Sequence, residues 1–412
     1  MSKRPQATLA EEPDGGNPHI RLRGGPREAT RPGLLNKIMS VCVSVATLAL
    51  AVSLPSFAAE KGSIKGSLQS ALEQNKFSGR VIDPGSRTIP SRILPVPDTV
   101  SPALQQVIAR PPKEPFEIPT TDKEWKALAT PSGGNPEQIS QQVAEMAEKF
   151  GVTVVPQMFG GVHCYLVTPK VLKPANRNRL LLDLHASGFL WGAGEASSTD
   201  SIVISGLTGY KVIAVDYRMP PDHPFPAGMD DATRVWKTIV RLITSANIGI
   251  FGSSAGGGMA LSLVQRAKKE GLPLPGAVLS DSPWSDLSKT GDSYYTNAGV
   301  DNGHVASDDD FWESVAKLYA NGRSLKDPQL SPVYGDFTRF PPTFLVSGTR
   351  DAFLSNTVRV QEKLLRAGVL TQLVVEEGQS HGWLSSAIEV NAPEGVEVYS
   401  YITQFFDEHL GR

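Results

Sequence analysis

The sequence predicts an α/β fold in which a mostly parallel central sheet is flanked by helices. Short apolar runs alternate with segments of helical periodicity from residue 151 to the C-terminus. Strands that alternate with helices along a chain join into a parallel sheet with helices on both faces. The 412 residues are 40% hydrophobic, which is enough for a large core.

Each predicted element follows from such a pattern. Helices are expected at 101–109, 122–128 and 136–150, the last with Ile139, Val143, Met146 and Phe150 at helical spacing. The predicted strands are 162–167, 180–184, 211–215, 248–251, 277–279, 343–346 and 373–375. The helices between and after them are predicted at 231–244, 255–269, 309–320, 357–367 and 396–410.

The N-terminal residues 1–58 are predicted to be a leader and a signal peptide. Lys37 precedes an apolar stretch at 38–54, and small residues at Ser56 and Ala58 predict cleavage after Ala58. The alternative is an uncleaved membrane anchor, because the stretch approaches spanning length. We therefore expect a periplasmic or secreted protein, in which removal of Cys42 leaves Cys164 without an intramolecular disulfide partner.

The distribution of charge argues against a nucleic-acid partner. Residues 1–58 carry seven Lys or Arg and four Asp or Glu, so the chain that follows is mildly acidic and has no basic run. No metal-ligand spacing of Cys and His is present, and we expect neither a cofactor nor a metal.

The strongest local signal is the segment NIGIFGSSAGGGMAL at 247–261. An apolar strand pattern ends in Gly252-Ser253-Ser254-Ala255-Gly256, and a helix-forming run follows directly. A nucleophilic serine on a tight strand-to-helix turn needs glycines two residues before and after it. Ser254 meets this requirement, whereas Ser253 does not.

A serine nucleophile at neutral pH needs a base, which follows the serine in chains with this turn. The later histidines are His304, His381 and His409. His409 lies near the end of the last predicted helix, and His304 has no strand beside it. His381 lies in a Gly-flanked loop just after a predicted strand and is the expected base.

The acid that orients the base is predicted to be Asp351, because it directly follows the strand pattern PTFLVSG. Asp281 and Asp286 also follow a strand, but they come soon after the nucleophile and are interpreted as structural or pocket-lining. The segment LLLDLHASGFLWGAG supplies a small-residue loop after another strand, whose N–H groups, together with that of Ala255, would stabilise an oxyanion. His185 in this loop is expected to hold it by hydrogen bonds.

The segments HASGF, YRMPPDHPFPAGMDDA and GSSAGGG, followed by Asp351 and His381, resemble the hormone-sensitive-lipase-like family of bacterial esterases, with HGGGF and GDSAGG motifs. The resemblance covers residues 151–412 and implies an α/β-hydrolase fold with a helical cap, built from residues 59–150 and an insertion at about 283–330. It implies Ser254 as nucleophile, Asp351 as acid and His381 as base. The oxyanion donors that it implies are the N–H groups of Ser187, Gly188 and Ala255.

The chain departs from the family pattern at a few positions. Ala186 and Ser187 replace two glycines, which narrows the backbone conformations without removing the N–H groups. Ser253 replaces the Asp before the nucleophile, and Asp222 replaces a Glu that we interpret as structural.

Aromatic side chains near the motifs predict an apolar pocket of modest size, with Phe189, Trp191, Trp284 and Trp383 as substrate contacts. The resulting hypothesis is a serine esterase for small-molecule esters with short to medium acyl chains. Alternatives are a lactonase, amidase or acyltransferase on the same triad, or a ligand-binding homologue without catalysis. We expect no stable membrane partner beyond export, and the sequence leaves the oligomeric state open.

Overall fold

The central element is an eight-stranded sheet in the computed structural model, which describes residue 86 and residues 89–130, 135–303 and 309–411. The predicted leader, signal peptide and cleavage site at 1–58 lie outside these residues, as does His304. The strands are β1 (Val152–Phe159), β2 (Val162–Pro169), β3 (Leu180–Leu184), β4 (Lys211–Val215), β5 (Ile248–Ser253), β6 (Ala277–Asp281), β7 (Thr343–Gly348) and β8 (Thr371–Glu376).

The sheet runs in the order β1-β2-β4-β3-β5-β6-β7-β8. The first two pairings, β1 with β2 and β2 with β4, are antiparallel, and all later pairings are parallel. The predicted mostly parallel sheet is therefore confirmed. The sequence pattern missed β1, because this edge strand is largely exposed and contains Pro156, which is tolerated only at an edge.

Helices cover both faces of the sheet. They are α1 (Pro102–Ile108), α2 (Asp122–Ala129), α3 (Pro136–Lys149), α4 (Thr199–Thr208), α5 (Ala227–Ile239), α6 (Ser254–Lys269), α7 (Ser293–Thr296), α8 (Asp309–Ala320), α9 (Leu354–Arg366), α10 (Trp383–Glu389) and α11 (Pro393–His409). Short 3₁₀ helices occur at Pro174–Asn176, Gly194–Ser198, Ser245–Asn247 and Pro332–Tyr334.

Two cores form because side chains alternate between the faces of each strand. Leu180 and Leu182 of β3 point into the first core, with α5, α6, α8 and α9, whereas Leu181 points into the second. The second core contains side chains of α1, α3, α4, α10 and α11. Helix α6, which begins at Ser254, thus packs on one defined face of the sheet.

The structure also differs from the sequence prediction in its helices. Helices α4, α7 and α10 were not predicted, and α4 is rich in residues that do not favour helices, such as Ser, Thr and Gly. Within the described part of the segment 59–150, which was predicted to form an arm and cap helices, α1 and α3 pack in the second core. Trp125 of α2 is buried in the first core, and Phe116 and Leu128 pack against it. Among the described residues, no helix is both long and apolar enough to cross a membrane.

Candidate active site

The turn between β5 and α6 holds Ser254 in a left-handed conformation, with φ of 56°. Such a φ is unusual for a residue with a side chain, and strained serines of this kind mark strand-to-helix turns that expose a hydroxyl. A Cβ added to Gly252 would lie 2.5 Å from the Gly256 carbonyl oxygen. The glycine before Ser254 therefore leaves room for the tight turn, as the sequence motif indicated.

Ser254, His381 and Asp351 form a continuous line of hydrogen bonds. His381 Nε2 lies 2.8 Å from Ser254 Oγ, and His381 Nδ1 lies 3.1 Å from Asp351 Oδ1. With the imidazole proton on Nδ1, Nε2 accepts from the serine hydroxyl. The three residues follow the carboxyl ends of β5, β8 and β7, so the parallel sheet brings together residues far apart in sequence.

Asp351 is fully buried and held by its own neighbours. Its Oδ2 accepts a hydrogen bond from Ser347 Oγ at 2.7 Å, and its Oδ1 accepts one from the Phe353 N–H at 2.7 Å. These donors fix the carboxylate plane toward His381.

The electrostatics of the pair favour a charged carboxylate and a basic imidazole. Burial raises the pKa of Asp351, but the charge of His381 and the hydrogen bonds outweigh it, so the pKa lies below its ordinary value. Burial lowers the pKa of His381, but the charge and hydrogen bond of Asp351, with the charges of Asp301 and Asp281, raise it overall. The imidazolium form is therefore stabilised in the site.

The loops that carry Asp351 and His381 are bonded to each other. Gly348 and Glu376, the last residues of β7 and β8, are paired in the sheet. A Cβ on Gly348 would lie 2.1 Å from the Gln379 carbonyl oxygen, which accepts from the Arg350 N–H at 2.9 Å. A glycine is required here because the two loops approach so closely.

The loop after β3 is shaped by two left-handed residues, Gly188 with φ of 54° and Phe189 with φ of 63°. The Tyr217 hydroxyl donates to the His185 carbonyl at 2.8 Å, so Ser187 Oγ, also 2.8 Å away, donates to Tyr217. Ser187 Oγ in turn accepts from the Phe189 N–H at 2.9 Å. The serine that replaces a family glycine thus supports the loop.

His185 holds the loop through its carbonyl, which accepts from the Tyr217 hydroxyl, whereas its side chain makes few hydrogen bonds. Its Nδ1 lies 3.2 Å from the adjacent Ala186 carbonyl, and its Nε2 is buried with no partner among the described residues. The ring instead stacks on Tyr217 at 4.2 Å. Burial lowers the pKa of His185 to about 4, so the ring is neutral at pH 7.

Two of the polar residues that we interpreted as structural form side-chain pairs. Ser253 Oγ donates to Asp281 Oδ2 at 2.8 Å, and the two residues are paired between β5 and β6. Burial raises the pKa of Asp281 to about 6. Asp222 forms an exposed ion pair with Lys126 of α2 at 2.6 Å.

Aromatic side chains from three chain segments pack beside residues 185–189, the loop that we call the oxyanion loop after its predicted role. We call this group the aromatic layer; it consists of Phe116, Trp125, Trp191, Phe311 and Trp312. A Cβ on Gly188 would lie 2.7 Å from the Trp312 ring, so this indole covers the glycine. The segment 283–330, predicted as an insertion, thus places α8 over the loop.

The predicted substrate contacts differ in position. Phe189 is buried, stacks on Tyr319 at 3.7 Å and lies 5.6 Å from Trp284, whereas Trp191 is only partly buried and donates to the Leu128 carbonyl. Trp383 is 2% exposed and lies in the second core, where its indole donates to the Ser347 carbonyl. The prediction that Trp383 contacts substrate is therefore corrected: it supports the strand that leads to Asp351.

Several residues near the site were not singled out from the sequence as site residues. They are Asp301, Ser347, Tyr217 and Trp312, and each acts on a predicted site residue. Two of them carried a signal: Tyr217 begins the segment YRMPPDHPFPAGMDDA, and Trp312 is one aromatic of several in the segment 283–330. In the described part of the chain, no three His, Cys, Asp or Glu side chains are grouped so that they could hold a metal ion.

Comparisons with known proteins agree with this geometry. A family model described as alpha/beta hydrolase fold matches residues 181–385. An acetyl-hydrolase from Streptomyces hygroscopicus is 30% identical over 248 residues, 59% of this chain and 79% of the relative. A carboxylesterase from Mycobacterium tuberculosis is 26% identical over 231 residues, 53% of this chain and 71% of the relative.

Solved structures give the same result. The crystal structure of esterase E25 is 38% identical and superposes with a TM-score of 0.74, covering 79% of this chain and 99% of that one. An esterase of the bacterial hormone-sensitive lipase family, 24% identical, shares the fold with a TM-score of 0.60 over 76% of this chain and 99% of its own. The chain therefore belongs to the α/β-hydrolase family and, within it, to the carboxylic ester hydrolases.

Proposed function

We propose that Ser254 is the nucleophile, His381 the general base and Asp351 the acid that orients it. The observation that carries the proposal is the strained Ser254, whose hydroxyl lies 2.8 Å from His381 Nε2. The buried Asp351 supports it, because a carboxylate at Nδ1 selects the tautomer that leaves Nε2 free to accept a proton.

The reaction follows from these positions. Ser254 Oγ attacks the ester carbonyl while its proton moves to His381 Nε2, and the imidazolium then protonates the leaving alcohol. Water, deprotonated by the same imidazole, hydrolyses the acyl-enzyme and restores the serine. The N–H groups of Ser187, Gly188 and Ala255 are the proposed oxyanion donors, and Ala255 lies in the first turn of α6, where N–H groups have no intrahelical partner.

The proposed substrates are carboxylic esters with short to medium acyl chains. The Trp312 indole over Gly188 supports this range, because it limits the space beside the oxyanion loop. Phe189, Trp191 and Trp284 are the proposed apolar contacts. Two relatives carry names that fit small acyl groups, the acetyl-hydrolase of Streptomyces hygroscopicus and an ethyl acetate hydrolase of Pseudomonas putida, which is 27% identical.

Other acyl transfers on the same residues are the second hypothesis. A lactonase, amidase or acyltransferase forms the same acyl-enzyme and differs only in the leaving group or the acceptor. Analysis of the products with lactone, amide and ester substrates distinguishes these activities, and a ligand-binding homologue would turn over none of them.

The decisive experiment is hydrolysis of p-nitrophenyl acetate, butyrate, octanoate and palmitate by the purified protein and by Ser254→Ala. We expect the highest kcat/KM for acetate or butyrate and a loss in the variant of several orders of magnitude. A folded wild type that hydrolyses none of the four esters, or a Ser254→Ala variant as active as the wild type, would overturn the proposal.

We also propose that residues 1–58 direct export, with cleavage after Ala58. Support comes from the sequence: Lys37, the apolar stretch 38–54 and the small residues before Ala59. N-terminal sequencing of the protein recovered outside the cytoplasm tests this, and a mature protein that begins at Met1 would contradict cleavage.

A further inference from the structure

Asp301 lies beside the catalytic groups but belongs to a different chain segment. It follows α7, and none of its surface is exposed. Its Oδ2 accepts a hydrogen bond from the Ala352 N–H at 2.7 Å, and its Oδ1 accepts one from the His381 N–H at 3.2 Å. One carboxylate therefore accepts hydrogen bonds both from Ala352, the residue after Asp351, and from His381.

The surrounding segment 297–303 is held against the same two loops. Asn297 Nδ2 donates to the Asp351 carbonyl at 2.8 Å, and the Asn302 N–H donates to Ser380 Oγ at 3.0 Å. A Cβ on Gly303 would lie 2.1 Å from the His381 carbonyl oxygen. Contacts on both sides of Asp301 thus limit how far its carboxylate can move.

The other side of this segment is attached to the N-terminal arm. Asn302 Nδ2 donates to the carbonyls of Val107 and Ile108, at 2.9 and 3.3 Å, and to that of Arg110 at 3.1 Å. These carbonyls lie at the C-terminal end of α1, where helix carbonyls need partners outside the helix. Asp301 is consequently held from α1 as well as from the sheet.

We propose that Asp301 is a positioning residue for ester hydrolysis, which fixes the acid and base loops relative to each other through the backbone N–H groups of Ala352 and His381. The inference rests on the proposed roles of Asp351 and His381. A charged acceptor forms stronger bonds to N–H groups than a neutral one, and burial strengthens them further.

The size of the effect follows from the geometry that proton transfer requires. A displacement of about 1 Å in a reacting group costs on the order of 100-fold in rate. Asp301 also contributes charge: the carboxylates that act on the imidazole are those of Asp351, Asp301 and Asp281. Loss of any of these negative charges destabilises the imidazolium form and moves the acid limb of the pH profile to lower pH.

Two substitutions separate position from charge. Asp301→Asn keeps the size but replaces one accepting oxygen by an amide NH₂ that faces an N–H donor. We expect kcat for p-nitrophenyl butyrate to fall on the order of 10- to 100-fold, with KM changed by less than about threefold, and the acid limb to move to lower pH. Asp301→Glu retains the charge but displaces it, so kcat should fall while the acid limb stays near that of the wild type.

The matched control is Asp286→Asn, because Asp286 is another fully buried carboxylate after β6, which pairs with Arg359 and not with the triad. It should lower the melting temperature and leave the pH profile unchanged. The inference would be overturned if Asp301→Asn had the wild-type kcat and an unshifted acid limb. It would also be overturned if the loss of kcat in both Asp301 variants were only as large as their loss of melting temperature explains, judged by Asp286→Asn. A wild type without ester hydrolysis overturns the proposed function itself, and that result is visible before any Asp301 variant is compared.

Discussion

The first turn of α6 contacts the end of β3 at Gly256 and Leu184, where a Cβ on the glycine would lie 1.8 Å from the Leu184 carbonyl oxygen. Leu184 is the residue before His185, where the oxyanion loop begins. The serine turn and the oxyanion loop are therefore in direct backbone contact, and their separation depends on the absence of a side chain at one position.

Gly256→Ala should disable the enzyme. The new methyl group overlaps the Leu184 carbonyl, so α6 must move away from β3, and we expect kcat to fall roughly 100-fold or more. Gly257→Ala is the graded comparison, because its Cβ would lie 3.0 Å from its nearest atom, the Asp281 carbonyl oxygen. Measurement of kcat for both variants tests whether Gly256→Ala loses more activity than Gly257→Ala. Equal losses of kcat would contradict this account.

The dependence of kcat/KM on pH should show one acid limb whose midpoint lies above the ordinary imidazole value of about 6.5. The pKa of His381 is raised overall, and the base acts only when it is neutral, so activity should rise as pH increases through that pKa. Rates from pH 5 to 9 with p-nitrophenyl butyrate measure it. A flat profile across this range would be inconsistent with His381 as the base.

Tyr217→Phe should slow the reaction through the oxyanion loop. The variant loses the hydroxyl that joins Ser187 to the His185 carbonyl, and we expect kcat to fall about tenfold, below the loss of a direct oxyanion donor. Tyr210→Phe is the control, because Tyr210 is also fully buried and its hydroxyl bonds Asp407, away from the triad. If both variants lose activity in proportion to stability, the loop has no special dependence on Tyr217.

Trp312→Ala should widen the range of acyl chains. The indole covers Gly188, and its removal opens apolar space, so we expect the ratio of kcat/KM for octanoate to that for acetate to rise about tenfold. The same four p-nitrophenyl esters measure this ratio. An unchanged ratio with a stable variant would mean that the acyl chain does not extend toward Trp312.

Asp281→Asn should stabilise the protein more at pH 8 than at pH 4, relative to the wild type. The pKa of Asp281 is raised to about 6 in the folded state, above its unfolded value of about 4. The contribution of this group to the free energy of unfolding is therefore present below the unfolded pKa and is lost as the pH rises through the folded pKa. Asparagine resembles the protonated acid and avoids that loss. Melting temperatures at the two pH values check the sign.

Asp286→Asn is the control, because its stability at pH 8 should change in the opposite direction. Burial raises the pKa of Asp286, but hydrogen bonds from Ser288, Thr290 and Arg359 outweigh it, so the folded pKa is lowered. Its stabilising effect is present above the unfolded pKa, and the variant should therefore be destabilised at pH 8. Shifts of the same sign in both variants would contradict the assigned pKa of Asp281.

The strands of the parallel sheet could be predicted because apolar runs such as 180–184 and 248–251 mark strands buried on both faces. The hairpin strand β1 and the Ser- and Thr-rich α4 could not, since an exposed edge strand has little apolar pattern and α4 forms through tertiary packing. In the site, the spacing around Ser254 and the strand ends before Asp351 and His381 predicted the three residues that the structure brings together.

The roles of the residues that support the site could not be predicted in this way. Asp301 acts through two backbone N–H groups and belongs to no motif. Tyr217 begins one of the segments that resemble the family, but its bonds to a backbone carbonyl and a serine depend on the folded loop. The fault in the prediction for Trp383 has a similar origin: a residue two positions after the base projects from α10 into the second core. Proximity to His381 in the sequence does not determine on which face of the sheet a side chain lies.

The aromatic layer is assembled from three separate segments, represented by Phe116 and Trp125, Trp191, and Phe311 and Trp312, whereas the triad lies at the ends of β5, β7 and β8. Substitutions in the aromatic layer, apart from those next to the oxyanion loop, can therefore replace an aromatic side chain without altering a strand that leads to Ser254, Asp351 or His381. If the aromatic layer limits the acyl chain as proposed, substrate range and chemical step can diverge at different rates during evolution. Recombination of arm and α8 sequences between relatives would then offer a route to new ester preferences on an unchanged catalytic scaffold.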